Sequence, residues 1–178
     1  MEIIIWAAIS FVVLSFIEHY IHKFHMHRPG FLNLLHPWLF DHHQKIHHPA
    51  YRENFDISNP IEHKDIGIGT PIHKISIPAF VAAALLAYFV SLTGGIVFFF
   101  CVVLHMLAWN VFHSAMHNPK ESWLKRRWIY KVLARHHYMH HLYPNKNFNV
   151  VCIFADHFLD SKKYPNKEDQ EKLDKYDL

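Results

Sequence analysis

Histidine is the residue type in this chain with the clearest chemical potential. The 178 residues include 19 histidines, against 18 lysines and arginines together. Most of the histidines lie in four tight groups, and those outside the groups are His36, His63, His73, His105 and His157. Neutral imidazole is a ligand for zinc, iron, copper and nickel. Four histidine groups in one chain therefore indicate metal binding.

Ten histidines within the four groups have spacings suited to ligands. They are His22, His27, His43, His47, His48, His113, His117, His137, His140 and His141. Ten imidazoles exceed what one tetrahedral or octahedral ion can hold. The sequence therefore predicts a site with two metal ions.

Helical spacing predicts which of these histidines converge. Side chains three or four residues apart lie on one face of an α-helix. The pairs expected to converge are His43 with His47, His113 with His117, and His137 with His140 or His141. His22 and His27 lie about 140° apart on an ideal helix, so we expect them to bind different metals or the helix to end between them.

Few other polar groups accompany these histidines. Glu18 and Asp156 are the carboxylates expected nearby, so the chemistry differs from that of the glutamate-rich ferritin-like proteins. Asn110 either orients His113 or makes a polar helix contact, and His105 is a possible additional ligand. The histidines expected to be aqueous or interfacial are His19, His25, His36, His42, His63 and His136.

Three apolar stretches predict an all-α bundle with about three transmembrane spans. Ile3–Ile17 has fifteen residues without a charge, about 22 Å of helix, so the first span needs its histidine-bearing continuation. Ile75–Leu92 and Ile96–Phe112 predict a transmembrane hairpin, with a turn at Thr93–Gly95. The alternatives are a cleaved signal peptide at the N-terminus and a soluble bundle with very apolar core helices.

The distribution of charge predicts the topology. With three spans, Glu18–Lys74 and His113–Leu178 share one side and contain every lysine and arginine in the chain. The positive-inside rule places that side in the cytoplasm, together with a helical, histidine-rich cap. Within it, Glu121–Arg135 mixes tryptophans with basic residues, as an interfacial helix does.

The remaining composition limits the other classes of function. The net charge of +3 is too small to indicate nucleic-acid binding. Cys101 and Cys152 are too few for a disulfide framework. We expect one membrane domain over residues 1–160 and a charged tail over 161–178, which is a frayed extension or a short exposed helix without chemistry.

The histidine motifs resemble the fatty acid hydroxylase and sterol desaturase superfamily. The resemblance rests on Glu18-x3-His22-Lys23-Phe24-x2-His27, His47-His48, Asn110-x2-His113-x3-His117, His137-x2-His140-His141, Asn147-Phe148 and Asp156. The first histidine motif is most similar to the fatty acid 2-hydroxylase branch, and the short length is similar to bacterial beta-carotene hydroxylases. The ten histidines named above match the metal ligands of the family.

The resemblance implies a membrane-bound, non-haem di-iron oxygenase that hydroxylates a C–H bond of a fatty acyl, sterol-like or isoprenoid lipid. Its cofactors would be two iron ions, which zinc can replace in a purified sample. An external donor such as cytochrome b5 or ferredoxin would supply electrons. The host membrane would be the endoplasmic reticulum in a eukaryote or the inner membrane in a bacterium, with the active site on the cytoplasmic side.

The sequence departs from the family pattern at three places. Gln44 occupies the position of the first histidine of the second motif, so either His43 substitutes one position earlier or Gln44 helps to bind. Asn110 replaces an aspartate, and the closing patterns differ around 147–150 and 159–161. We expect Glu18, Gln44, Asn110 and Asp156 to support the ligands from the second layer.

Two alternatives to hydroxylation remain at this point. The same centre would serve a lipid desaturase or a carotenoid hydroxylase. A histidine-rich metal transporter is the alternative from another class, but transport predicts ligands in the middle of the spans. Of these histidines only His105 is that deep.

Overall fold

The computed structural model describes residues 1–28, 37–52, 54–56, 72–118, 120 and 122–178, with the backbone alone for 37–38 and 72–77. His36 and His63 therefore lie outside the described residues. The described elements are all helical and include no strand, which confirms the all-α prediction. They are α1 (Glu2–Ile21), a first π-helical turn (His22–Met26), α2 (Pro37–His42), a second π-helical turn (His43–His47), α3 (His48–Tyr51), α4 (Ile72–Phe89), α5 (Leu92–Met116), α6 (Trp128–Leu142), α7 (Phe154–Phe158) and α8 (Lys167–Asp174).

Two helices in the described part of the chain are long and apolar enough to cross a bilayer. They are Glu2–Met26 and Leu92–Met116, each of 25 residues, with a mean hydropathy of 1.9 and 2.1. Twenty-five residues of α-helix measure about 38 Å, more than the roughly 30 Å of the hydrocarbon core. The third predicted span corresponds to α4, and Pro78–Phe89, the part of this helix described with side chains, is apolar.

The outer faces of these helices are apolar. Ile4 on α1 is 74 % exposed and Leu104 on α5 is 64 % exposed. A core helix of a soluble protein would bury such side chains against its neighbours. An exposed apolar surface of this extent is typical of a protein that binds lipid or another apolar partner.

The α4–α5 hairpin differs from the prediction at its turn. Ser91 caps α5, since its Oγ accepts a hydrogen bond of 3.0 Å from the Gly94 backbone N–H. Helix α5 therefore begins at Leu92, and the three residues predicted to form the turn lie in its first turn. Gly95 instead allows the two helices to approach closely, because a Cβ there would lie 2.5 Å from the Ala83 carbonyl oxygen.

The chain beyond α5 forms a cap whose core lies next to the histidines. Its core residues are Phe55, Trp109, Met116, Tyr130, Leu133, Ala134, Tyr138, Met139, Val150 and Leu173. The start of the cap differs from the predicted interfacial helix, because residues 123–126 form turns and α6 begins only at Trp128. Trp123 and Trp128 are 70 % and 75 % exposed beside basic residues, as expected at a membrane surface.

The C-terminal residues belong to this cap and do not fray from it. Asn166 and Asp169 form a capping box at the start of α8, in which each side chain accepts a hydrogen bond from the other backbone N–H. Leu173 is fully buried in the core, and the Tyr143 hydroxyl donates a 3.0 Å hydrogen bond to Asp169. Of the two alternatives, the frayed extension is therefore wrong, and the short helix is present with Asp169 and Leu173 buried.

Candidate metal centre

Nine of the ten predicted ligands converge in two adjacent groups. We call them the five-histidine group (His22, His27, His43, His48 and His140) and the four-histidine group (His47, His113, His117 and His137). Within each group, one ring nitrogen from each histidine lies within 4.8 Å of the others. All of these side chains are buried except His27, which is half-buried. The groups adjoin at His47 and His48, whose ring centroids lie 5.9 Å apart.

The two π-helical turns account for most of the five-histidine group. Each turn begins with one member of the group and ends directly before another. Hydrogen bonds in a π-helix run between residues five apart, so that such residues lie almost above one another. The ring centroids of His22 and His27 lie 5.1 Å apart, and those of His43 and His48 lie 4.7 Å apart.

This geometry corrects two expectations drawn from α-helical spacing. His22 and His27 join the same group, although an ideal α-helix would turn them about 140° apart. His43 and His47, expected to converge, fall in different groups. The physical reason is the same in both cases, since a π-helical turn has more residues than an α-helical one.

Of the α-helical pairs, the one on α5 behaves as predicted and the one on α6 does so only in part. His113 and His117, four residues apart at the end of α5, both belong to the four-histidine group. On α6, His137 joins the four-histidine group and His140 joins the other. His141 is outside both groups, but its Nε2 lies 3.2 Å from Nε2 of His137.

Nitrogen spacing in the five-histidine group resembles a coordination sphere. The Nε2 atoms of His22 and His43 lie 2.9 Å apart, as do those of His27 and His140. Nε2 of His48 lies 3.1 Å from that of His140 and 3.2 Å from that of His43. An imidazole nitrogen carries either a hydrogen or a lone pair, so five cannot all satisfy one another. Ligand nitrogens at about 2.1 Å from one ion and at right angles would be about 3.0 Å apart.

Backbone carbonyls orient three of the candidate ligands. Nδ1 of His22 contacts the Phe148 carbonyl oxygen, and Nδ1 of His140 lies 2.7 Å from the Lys146 carbonyl oxygen. In the four-histidine group, Nδ1 of His117 lies 2.8 Å from the Phe55 carbonyl oxygen. A carbonyl can only accept, so Nδ1 donates and Nε2 keeps its lone pair for a metal.

Burial keeps the candidate ligands neutral. It lowers the pKa of His48 to about 4, with a further contribution from Arg52. Burial also lowers the pKa of His27 to about 2, assisted by its histidine neighbours. The same causes lower the pKa well below its ordinary value for His43, His47, His117, His137, His140 and His141. Neutral imidazole is the form that binds a metal.

Glu18 binds the loop of residues 146–152 rather than a candidate ligand. Its carboxylate accepts hydrogen bonds from the backbone N–H groups of Val150, at 2.7 Å, and Val151, at 3.1 Å. The side-chain amide of Asn149 donates a further one, at 3.2 Å. Glu18 therefore holds this loop in place and makes none of these hydrogen bonds to a candidate ligand, whereas we expected it to support the ligands from the second layer.

Asp156 forms a second buried cluster that sequence reasoning missed. Its carboxylate oxygens lie 3.1 Å from Nδ1 of His19 and 2.8 Å from Nε2 of His136. Burial alone would raise the pKa of Asp156, but the hydrogen bonds from the two histidines hold it below its ordinary value. His19 and His136 are only 2 % and 5 % exposed, contrary to the expectation of an aqueous or interfacial position.

The other polar residues selected from the sequence lie around the two groups. Gln44 is half-buried on the second π-helical turn, directly after His43. Asn110 is half-buried one turn before His113, and its predicted role stays a prediction. Nε2 of His105 lies 3.3 Å from the Glu18 carboxylate and joins neither group.

Comparisons with family models, curated proteins and solved structures gave no match to this chain. The geometry of the histidines and the helices that carry them are therefore the features that point to a function.

Proposed function

We propose that this protein is a membrane-bound, non-haem di-iron oxygenase that hydroxylates a C–H bond of a lipid. The observation that carries the proposal is the convergence of nine histidines, eight of them buried, in two adjoining groups. Ring nitrogens within each group lie within 4.8 Å of one another, and the closest pairs in the five-histidine group are 2.9 Å apart. Two ions, one in each group, would give the converging ring nitrogens of that group a common partner.

The membrane placement is supported by the apolar helices that carry the ligands. His22 lies at one end of Glu2–Met26, and His113 and His117 lie at the end of Leu92–Met116. With α4 as the third span, all the lysines and arginines fall on the side of the histidine groups. The positive-inside rule then places the metal centre at the cytoplasmic surface.

The donor set fits iron as well as zinc, because imidazole binds both. Bound iron would supply the redox chemistry by which O2, two electrons and two protons convert a C–H bond to C–OH, with one oxygen atom entering the lipid and the other leaving as water. The chain itself orients the imidazoles through the carbonyls of Phe148, Lys146 and Phe55. Its burial of the rings excludes water from the site.

A lipid substrate is consistent with the position of the site. The histidines lie where apolar helices meet the cap, so an acyl or isoprenoid chain could reach them without leaving the bilayer. His27, the most exposed member of the five-histidine group, marks a side on which that group is open. Electrons would come from an external carrier such as cytochrome b5 or ferredoxin.

The proposal is tested by mass spectrometry of membrane lipids from cells with and without the protein. We expect a lipid that gains the mass of one oxygen atom, together with O2 consumption, and loss of both in the His140→Ala variant. A desaturated product would assign the same centre to desaturation. Unchanged lipids in cells with ample iron and reductant would overturn the proposal.

A further inference from the structure

The loop of residues 146–152 contributes no candidate ligand, yet it holds two members of the five-histidine group. The Lys146 carbonyl accepts from His140, and the Phe148 carbonyl accepts from His22. These two histidines come from α6 and the first π-helical turn, far apart in the chain. The position of one short backbone segment therefore sets the direction of two ligand rings at once.

Asp156 fixes this loop from the inside. It is fully buried and accepts hydrogen bonds from the backbone N–H of Phe148, at 3.0 Å, and of Asn149, at 2.7 Å. The Ser161 hydroxyl donates a third, at 2.7 Å. Phe148 thus links Asp156 to His22, because its backbone N–H donates to the carboxylate and its backbone carbonyl accepts from the His22 ring.

Asp156 also fixes the helix that carries His140. It accepts a hydrogen bond of 2.8 Å from His136, which lies four residues before His140 on the same face of α6. The four-histidine group is anchored elsewhere, through the Phe55 carbonyl and His117.

We propose that Asp156 is a positioning residue that controls metal affinity in the five-histidine group while leaving the four-histidine group almost unaffected. The inference rests on the metal-binding part of the proposed function and not on the oxidation of lipid. The two carboxylate oxygens of Asp156 accept from five donors in this structure, whereas an amide has one acceptor oxygen and adds an NH2 group. In Asp156→Asn, this NH2 would face a donor, and the loop that holds His22 and His140 would move.

The test measures metal retention by the full-length protein in detergent. The protein is loaded with Zn²⁺, equilibrated with chelators of graded strength, and its metal content is measured. We expect two ions per chain in the wild type and, in Asp156→Asn, one ion held as tightly as before and one about 10- to 100-fold more weakly. Excess Zn²⁺ should restore the second ion. Asp160→Asn is the matched control, because Asp160 is exposed and has a backbone φ of 50° that asparagine tolerates.

Double variants identify the ion that is weakened. Adding His117→Ala to Asp156→Asn should remove all tight binding, whereas adding His22→Ala should leave the one tight ion. Ser161→Ala, which removes a single hydrogen bond to the carboxylate, should weaken the same ion by a smaller factor. If Asp156→Asn does not fold, Ser161→Ala tests whether the contacts of Asp156 control metal affinity in the five-histidine group.

Equal weakening of both ions, no change in either, or selective loss from the four-histidine group would overturn the inference. A wild-type chain that binds no metal would overturn it together with its premise. Two ions with the expected selectivity, but no lipid oxidation, would support the inference and contradict only the oxygenase proposal.

Discussion

The chemistry of the centre depends on where each imidazole carries its hydrogen. A backbone carbonyl beside Nδ1 selects the tautomer in which Nε2 is a ligand, as seen at His22, His117 and His140. Burial adds to this by disfavouring the charged ring. Neutral rings that already face one another require little rearrangement when an ion binds.

A comparison of His47 with His42 tests directly which histidines are metal ligands. His47 belongs to the four-histidine group, whereas His42, five residues earlier, belongs to neither group. We expect His47→Gln to reduce the metal content from two ions to one, and His42→Gln to retain both. Metal analysis of the purified variants distinguishes the two, and equal metal content in both would contradict the assignment.

The candidate metal ligands could be predicted from the sequence, but the hydrogen bonds that hold them in place could not. The repeated histidines can be recognised in the sequence alone, and Asp156 and Glu18 could be selected there as the carboxylates expected nearby. The partners of these carboxylates were not visible, because most of them are backbone N–H groups that every residue carries. His19 and His136 looked like surface residues because nothing local indicates that Asp156 lies between them.

At the scale of helices, the π-helical turns explain why α-helical spacing failed for half of the centre. A π-helical turn contains one residue more than the surrounding helix, and hydrophobic periodicity does not reveal so short an irregularity. The α5 pair, His113 and His117, lies in regular helix and was predicted correctly. Spacing therefore predicted the α5 pair, but not the division of His137 and His140 of α6 between the two groups, nor the π-helical irregularity.

Helices α4 and α5 approach so closely at Gly95 that we expect no larger side chain to fit there. In Gly95→Ala the new Cβ would lie 2.5 Å from the Ala83 carbonyl, a backbone atom that cannot move aside alone. We expect destabilisation of about 1–3 kcal/mol, measured by thermal unfolding in detergent. Ile96→Ala is the control, since Ile96 is 51 % exposed, and an equal loss of stability in both would contradict the packing argument.

Helix α8 is expected to stabilise the cap. Leu173 is fully buried, and the Tyr176 hydroxyl accepts a 3.2 Å hydrogen bond from the backbone N–H of Phe55, whose carbonyl orients His117. We expect Leu173→Ala to cost about 2–5 kcal/mol of unfolding free energy and to weaken metal binding in the four-histidine group.

The measurement for α8 combines chemical denaturation with metal analysis. Glu171→Ala is the matched control, since Glu171 is exposed on the same helix. A Leu173→Ala variant as stable as this control would show that α8 is not part of the folded cap.

At the scale of the whole molecule, the apolar helices have one end at the α4–α5 connection and the other at the cap, where the histidines lie. Val90, between α4 and α5, lies at the end opposite the histidines, and Tyr164 lies on the cap side. Both are 67 % exposed and can be replaced by a reporter cysteine without loss of buried contacts. Labelling of the two positions tests whether a membrane separates these ends.

We expect a membrane-impermeant maleimide to label Val90→Cys only from outside the cell and Tyr164→Cys only from the cytoplasmic side. The background would carry Cys101→Ala and Cys152→Ala, which remove both native cysteines. Labelling of both positions from the same side would contradict the three-span topology.

The number of metal ions per chain tests the central claim most directly. We predict two ions per wild-type chain after iron or zinc loading, and one ion in each of His22→Ala and His117→Ala, which belong to different groups. A wild-type content of one ion or none, or loss of both ions in each single variant, would contradict a centre built from two separate histidine groups.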